Sequence, residues 1–138
     1  MISYRDEVIT HAEQLLGIPY VFGQRSIHGL DCVGFLYQIS LKMGWKIDYP
    51  CDYNDPAQFQ ITETLDKYFT VTTAGQKGDI IVVRNQLGNT HHVALIYSDT
   101  QIIHCIDGVN IPSVRIDQNR KFKKLIVKTY DITSFKQI

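Results

Sequence analysis

The sequence predicts an α+β fold: N-terminal helices packed on a small, curled antiparallel sheet of five to six strands. Three observations lead there. The first half carries apolar residues at helical spacing, with capping residues at the ends. The second half carries short β-rich runs punctuated by glycine, aspartate and asparagine. Helices in front and strands behind disfavour alternating βαβ units.

Each element follows from local signals. Ser3 with Asp6 three residues on is a capping-box start. Val8, Ala12, Leu15 and Leu16 then keep helical spacing until Gly17 and Ile-Pro stop the helix. Gly23 to Leu30 reads as a polar loop. Asp31 is an N-cap for an almost wholly apolar helix from Cys32 to Met43, ended by Gly44. Asp55-Pro56 opens a short helix that runs to about Tyr68. Strands are expected at Val71-Thr-Thr, Asp79 to Arg84, His92 to Tyr97, Gln101 to Asp107, Val114-Arg-Ile and Leu125 to Tyr130. The basic stretch Arg120-Lys-Phe-Lys-Lys reads as a solvated turn into the last strand.

Composition bounds the function classes. The 138 residues fit one domain, 1–138, and at this mass about two-thirds of the unfolded surface can be buried. Fourteen basic and fourteen acidic side chains cancel, which argues against broad electrostatic binding to nucleic acid or an anionic membrane. No apolar run reaches transmembrane length, and the polar start Met1-Ile-Ser-Tyr-Arg-Asp-Glu does not read as a signal peptide. The three cysteines Cys32, Cys51 and Cys105 have no Cys-x-x-Cys spacing, which disfavours a disulfide framework or a four-cysteine zinc site.

Cys32 falls at the first turn of its helix, where unpaired N–H groups and the positive dipole end favour a thiolate. A thiol pKa below the ordinary value is therefore expected, although the Asp31 carboxylate works against it. Gly34 leaves a small side chain where a substrate backbone could approach. The plain alternative is an inert core thiol. In the strand His91-His-Val-Ala-Leu-Ile-Tyr, side chains alternate, so His92 and Ala94 share one face and His91 and Val93 the other. The Ala94 face is the less bulky and is expected to leave room for a substrate. His104 lies within the apolar Ile102-Ile-His-Cys-Ile, as a hydrogen-bonded core residue or as a partner for something buried.

Cysteine, histidine base and a third polar group form the general thiol-hydrolase pattern. Zinc is the competing use of Cys32, His92 and His104, but no local metal spacing such as His-x-x-x-His occurs. For the two histidines to act together, the intervening loop must be odd in length or carry a bulge. A two-residue loop at Asp99-Thr100 would put His104 opposite Leu95, on the wrong face. A three-residue loop, Ser98 to Thr100, sets His104 opposite Ala94 and diagonal to His92.

Five segments stand in order along the chain: Ile18-Pro-Tyr-Val-Phe-Gly, Asp31-Cys-Val-Gly-Phe, Lys77-Gly-Asp-Ile-Ile, His92-Val-Ala and Ile103-His-Cys. Together they resemble the NlpC/p60 cell-wall cysteine peptidases, a papain-like family. Val33 in place of serine and Gln24-Arg-Ser in place of a second glycine look like its phage, tail-associated branch. The resemblance implies hydrolysis of an amide in the peptidoglycan stem peptide, typically between D-glutamate and a diamino acid. It implies Cys32 as nucleophile, His92 as base and His104 as the group that orients it. The Cys32 N–H and the Tyr20 hydroxyl are the implied oxyanion donors, with Asp31 and Gly34 in the substrate neighbourhood. No metal or organic cofactor is required. The implied partners are the stem peptide and phage tail proteins, with the chain virion-associated or cytoplasmic until it is delivered. Other readings are a tail-tip assembly module of the same fold, and an amidase or acyltransferase acting on another amide.

Overall fold

A computed structural model describes residues 2–50, 61–84 and 91–138. Helix α1 spans Tyr4–Glu13, and the Ser3 hydroxyl accepts the Asp6 N–H at 3.1 Å, as the capping signal predicts. The turns after Glu13 carry the chain to Gly17, whose φ of +87° ends the helical path. Helix α2 spans Cys32–Met43, between the Asp31 N-cap and Gly44 in the left-handed conformation. Helix α3 spans Ile61–Tyr68. The Asp55-Pro56 start expected for it lies outside the described residues, as does Cys51.

The loop expected between Gly23 and Leu30 is instead a small hairpin. Strands β1 (Arg25–Ser26) and β2 (Gly29–Leu30) pair as Arg25↔Leu30 and Ser26↔Gly29. The main sheet holds β3 (Thr70–Val71), β4 (Ile80–Arg84), β5 (His91–Ile96), β6 (Gln101–Ile106), β7 (Ser113–Gln118) and β8 (Ile126–Asp131). These six antiparallel strands lie in the order β3-β8-β4-β5-β6-β7.

Helices cover one face of this sheet. Val8 and Ala12 of α1, Phe35 and Ile39 of α2, and Val93 and Ile103 of the sheet meet there in the main core. The opposite face is not open, contrary to expectation. Ile81, Val83, Ala94 and Ile102 form a second small core there, capped by Phe122 and Leu125. The basic stretch therefore does more than turn in solvent. Its one aromatic residue is drawn onto the sheet, because apolar burial outweighs the polarity of its neighbours.

Two features of the sheet position Tyr20, Cys32 and His92. Gly17 to Tyr20 runs along the outer edge of β7, with Gly17 N–H donating to Val114 and Tyr20 N–H to Pro112, both at 3.0 Å. Strand β5 pairs with β4 from His91 to Leu95 but with β6 only at Leu95↔Ile103 and Ile96↔Ile102, beside their hairpin. Farther from the hairpin the β5–β6 ladder stops. That gap receives the start of α2, which packs on both strands.

Candidate active site

Cys32 is the first residue of α2 and is partly buried. Its sulfur is approached by the backbone N–H groups of Cys32, Val33 and Val93. The Val93 N–H is available because β6 does not pair with β5 at that level. The residue before Val93 is His92.

The hairpin register is the odd-loop one. Leu95 faces Ile103, and Tyr97 N–H donates to Gln101 across the turn at 3.0 Å. His92 and His104 therefore share a face, and His92 Nε2 lies 2.8 Å from His104 Nδ1. The relay continues beyond the residues expected from sequence. His104 Nε2 lies 2.7 Å from Asp117 Oδ2 on β7, and the other oxygen, Oδ1, accepts from Arg115 Nε at 3.1 Å. Phe122 packs edge-on against the His104 ring at 5.5 Å between centroids.

Asp117 and Phe122 are the neighbours that sequence reasoning missed. The strand expected at Val114-Arg-Ile runs on to Gln118, and that extension carries Asp117 to the site. Only the β6–β7 register, His104↔Arg115, brings Asp117 beside the ring.

Asp31 is 2% exposed and bridges two segments. One carboxylate oxygen accepts the Gly34 N–H at 2.7 Å, and the other accepts the Gly23 N–H at 3.0 Å. It thus ties the entry loop to the start of the nucleophile helix. Gly34 has a different reason to be small from the one expected. The Gln24 carbonyl already fills the space above it, so the chain's own loop approaches there rather than a substrate. Gly34→Ala would press a methyl group into backbone that cannot move cheaply. Thermal or urea unfolding is expected to show a loss of about 1–3 kcal/mol, and an unchanged midpoint would contradict this packing.

Tyr20 is half-buried, and Cys32 and Asp31 act on its hydroxyl after burial itself; all three hold its pKa above the ordinary tyrosine value. The phenol keeps its proton and stays a donor at any working pH. Cys105 is buried on the helix side of β6, where its thiol donates to the Leu30 carbonyl at 3.1 Å and burial pushes its pKa up to about 12.

The electrostatics correct the expected thiolate. Burial, then the Asp31 charge, push the Cys32 thiol up to about 12, against the three N–H groups that favour the anion. Burial, then His104, lower His92 to about 3. Desolvation outweighs the helix terminus, so the resting pair is a neutral thiol and a neutral imidazole. Burial also lowers His104, partly offset by Asp117. Burial would raise Asp117, but hydrogen bonds from His104 and Arg115 prevail and hold it below the usual carboxylate range.

Stability should therefore fall in acid. Unfolded imidazoles titrate near about 6.5, whereas folded His92 waits until about 3. Between those values the unfolded chain binds protons that the folded chain refuses. Stability held above the upper value is thus lost as pH falls through the window. His104 adds loss of the same sign, and so does Asp117 at lower pH. The urea midpoint is expected to drop from pH 7 to pH 4, less steeply in His92→Gln. A flat wild-type profile would contradict the neutral resting rings.

A cysteine at a helix start set into an antiparallel sheet beside a hydrogen-bonded histidine defines the papain-like α+β class. Among the described residues, no three His, Cys, Asp or Glu side chains are grouped to hold a metal. None of the described helices is long and apolar enough to cross a membrane. The chain belongs to the NlpC/P60 family, whose pattern matches residues 17–128.

One relative, from Bacillus cereus, is named gamma-D-glutamyl-L-lysine dipeptidyl-peptidase. It is 32% identical over 101 residues, which cover 72% of this chain and 28% of the relative. The chain thus spans less than a third of that protein. The crystal structure of an NlpC/P60 family protein from Bacillus cereus superposes with a TM-score of 0.72 at 24% identity, covering 95% of this chain and 41% of that one. RipD from Mycobacterium tuberculosis, described as a non-catalytic NlpC/p60 domain protein adapted to peptidoglycan binding, superposes at 0.66. It is 16% identical, and the match covers 96% of this chain and 99% of that one. At such identities these two likenesses show the fold.

Proposed function

We propose that the chain is a cysteine peptidase that hydrolyses an amide in the peptidoglycan stem peptide, between a γ-D-glutamyl residue and the diamino acid next in the stem. The observation that carries the chemistry is the hydrogen-bonded row His92–His104–Asp117 beside a helix-start cysteine. Support for the substrate comes from the name of the Bacillus cereus relative.

In this reading, His92 Nδ1 takes the Cys32 proton as the sulfur attacks the amide carbon. Thiolate and imidazolium form together, so each offsets the burial cost of the other. The carbonyl oxygen gains negative charge and is held by the Cys32 N–H and the Tyr20 hydroxyl. Losing one such donor typically costs about 10²–10³ in rate. Collapse of the intermediate breaks the C–N bond, and His92 returns the proton to the leaving amine. Water, deprotonated by His92, then hydrolyses the thioester and restores the thiol.

The phage setting is a further part of the proposal. Its support is the likeness of Asp31-Cys-Val-Gly and Gly78-Asp-Ile-Ile-Val-Val-Arg to the tail-associated branch, and peptide mass spectrometry of purified virions tests it. Defined muropeptides incubated with the purified chain, with products read by mass, test the peptidase reading. The expected products are two fragments parted at the γ-D-glutamyl bond. Binding without cleavage would replace the peptidase with a wall-binding module.

A further inference from the structure

We propose that Asp117 is a positioning residue that sets the proton arrangement of the histidine pair, so that His92 presents a bare Nδ1 to the cysteine. This deepens the peptidase reading and rests on Cys32 and His92 as nucleophile and base.

The hydrogen bonds dictate the arrangement from one end. Ionised Asp117 can only accept, so the 2.7 Å contact requires a proton on His104 Nε2. A neutral His104 then has only a lone pair at Nδ1. The 2.8 Å contact to His92 in turn requires the His92 proton on Nε2. That leaves Nδ1 of His92 as the acceptor. Each neutral ring has one proton to place, and Asp117 decides both placements.

Arg115 keeps the carboxylate in register. Its Nε donates to Oδ1 at 3.1 Å and its Nη2 pairs with the same oxygen at 2.9 Å, which reserves Oδ2 for His104. Among the described residues, the groups that face the His104 ring are His92 from β5, Arg115 and Asp117 from β7, and the uncharged Phe122 ring. His104 is fully buried, so no bulk water can take over the part of Asp117 on the ring side.

Asparagine at 117 reverses the logic. Its single oxygen stays with the charged Arg115, and its NH₂ group faces His104. The amide donates to Nε2, so the His104 proton moves to Nδ1 and His92 must accept at Nε2. His92 then carries its proton on Nδ1, where the thiol proton has to go. In the parallel case of a serine-peptidase triad, a carboxylate-to-amide change that leaves the wrong tautomer costs about 10⁴ in rate. One ring further away, a loss in kcat of about 10²-fold is expected here.

Long-range ¹H–¹⁵N spectra of the histidine-labelled chain, with kcat and KM on a γ-D-glutamyl–L-lysine stem peptide, test this. Wild type should show both rings protonated at Nε2. Asp117→Asn should move both protons to Nδ1 and lower kcat about 10²-fold, with KM within about threefold.

Asp117→Asn combined with Arg115→Ala lets the amide turn its oxygen to His104. It should restore the Nε2 protons and regain at least about tenfold in kcat. A residue that merely held the fold would make the double variant worse than the single one. Wild-type tautomers and unchanged kcat in Asp117→Asn would overturn the proposal, as would a further fall in the double variant. Arg115→Ala alone keeps the carboxylate and should keep both Nε2 protons; their reversal would also overturn it. If no chain cleaves the peptide, the spectra still decide the tautomers, and only the peptidase reading fails.

Discussion

Cys32→Ala is expected to abolish turnover on stem peptides, with a loss of at least about 10⁴-fold and up to about 10⁶, the scale on which loss of a triad nucleophile falls. Among the described residues, no neighbouring group can replace it. Cys105 is fully buried with its thiol committed to the Leu30 carbonyl, and Tyr20 keeps its proton. The fold should survive, because the change removes one sulfur from a partly exposed helix start whose cap, Asp31, is untouched. Circular dichroism and urea unfolding check the fold, and product mass checks the rate. A variant that keeps more than about a hundredth of wild-type turnover would take the nucleophile away from Cys32.

The second large effect is expected at His92. With the thiol pushed up to about 12, only about one sulfur in 10⁵ is ionised at pH 7 without a base beside it. His92→Ala should therefore lower kcat by about 10³-fold or more, within the reach of general-base loss and thiol activation combined. His91→Ala should stay within about tenfold, roughly 1.4 kcal/mol of barrier. Strand alternation sends the His91 ring to the opposite face from His92 and His104, and its Nδ1 has no hydrogen-bond partner among the described residues. The reverse ranking would break the link between the His92–His104 contact and the chemistry.

Local signals carry much of this into the sequence. Ser3, Asp31 and Gly44 mark helix ends because caps act over three or four residues, and the structure uses all three. The pairing of His92 with His104 is legible as a condition: both sit on one hairpin, where loop length fixes register, and the structure has the odd register that the pair requires. Asp117 is not legible. Its place depends on the β6–β7 register, set across the irregular stretch 107–112, which carries no turn signal of known length. In sequence Gly34 reads as room for a substrate, because the loop that fills that space is brought back by Asp31, eight residues beyond Gly23. The thiol pKa misleads for a related reason. A helix terminus is visible in a sequence, whereas the burial that outweighs it is a tertiary property.

The most direct test is to catch the acyl group on the sulfur. Acid quenching during turnover of a γ-D-glutamyl–L-lysine stem peptide, then peptide mapping, reads which residue carries it. The expected result is an adduct on the fragment containing Cys32, equal in mass to the γ-D-glutamyl product acid less one water. It should be absent in Cys32→Ala. Product formed with no adduct on Cys32, at an undiminished rate in Cys32→Ala, would contradict a cysteine nucleophile at this helix start.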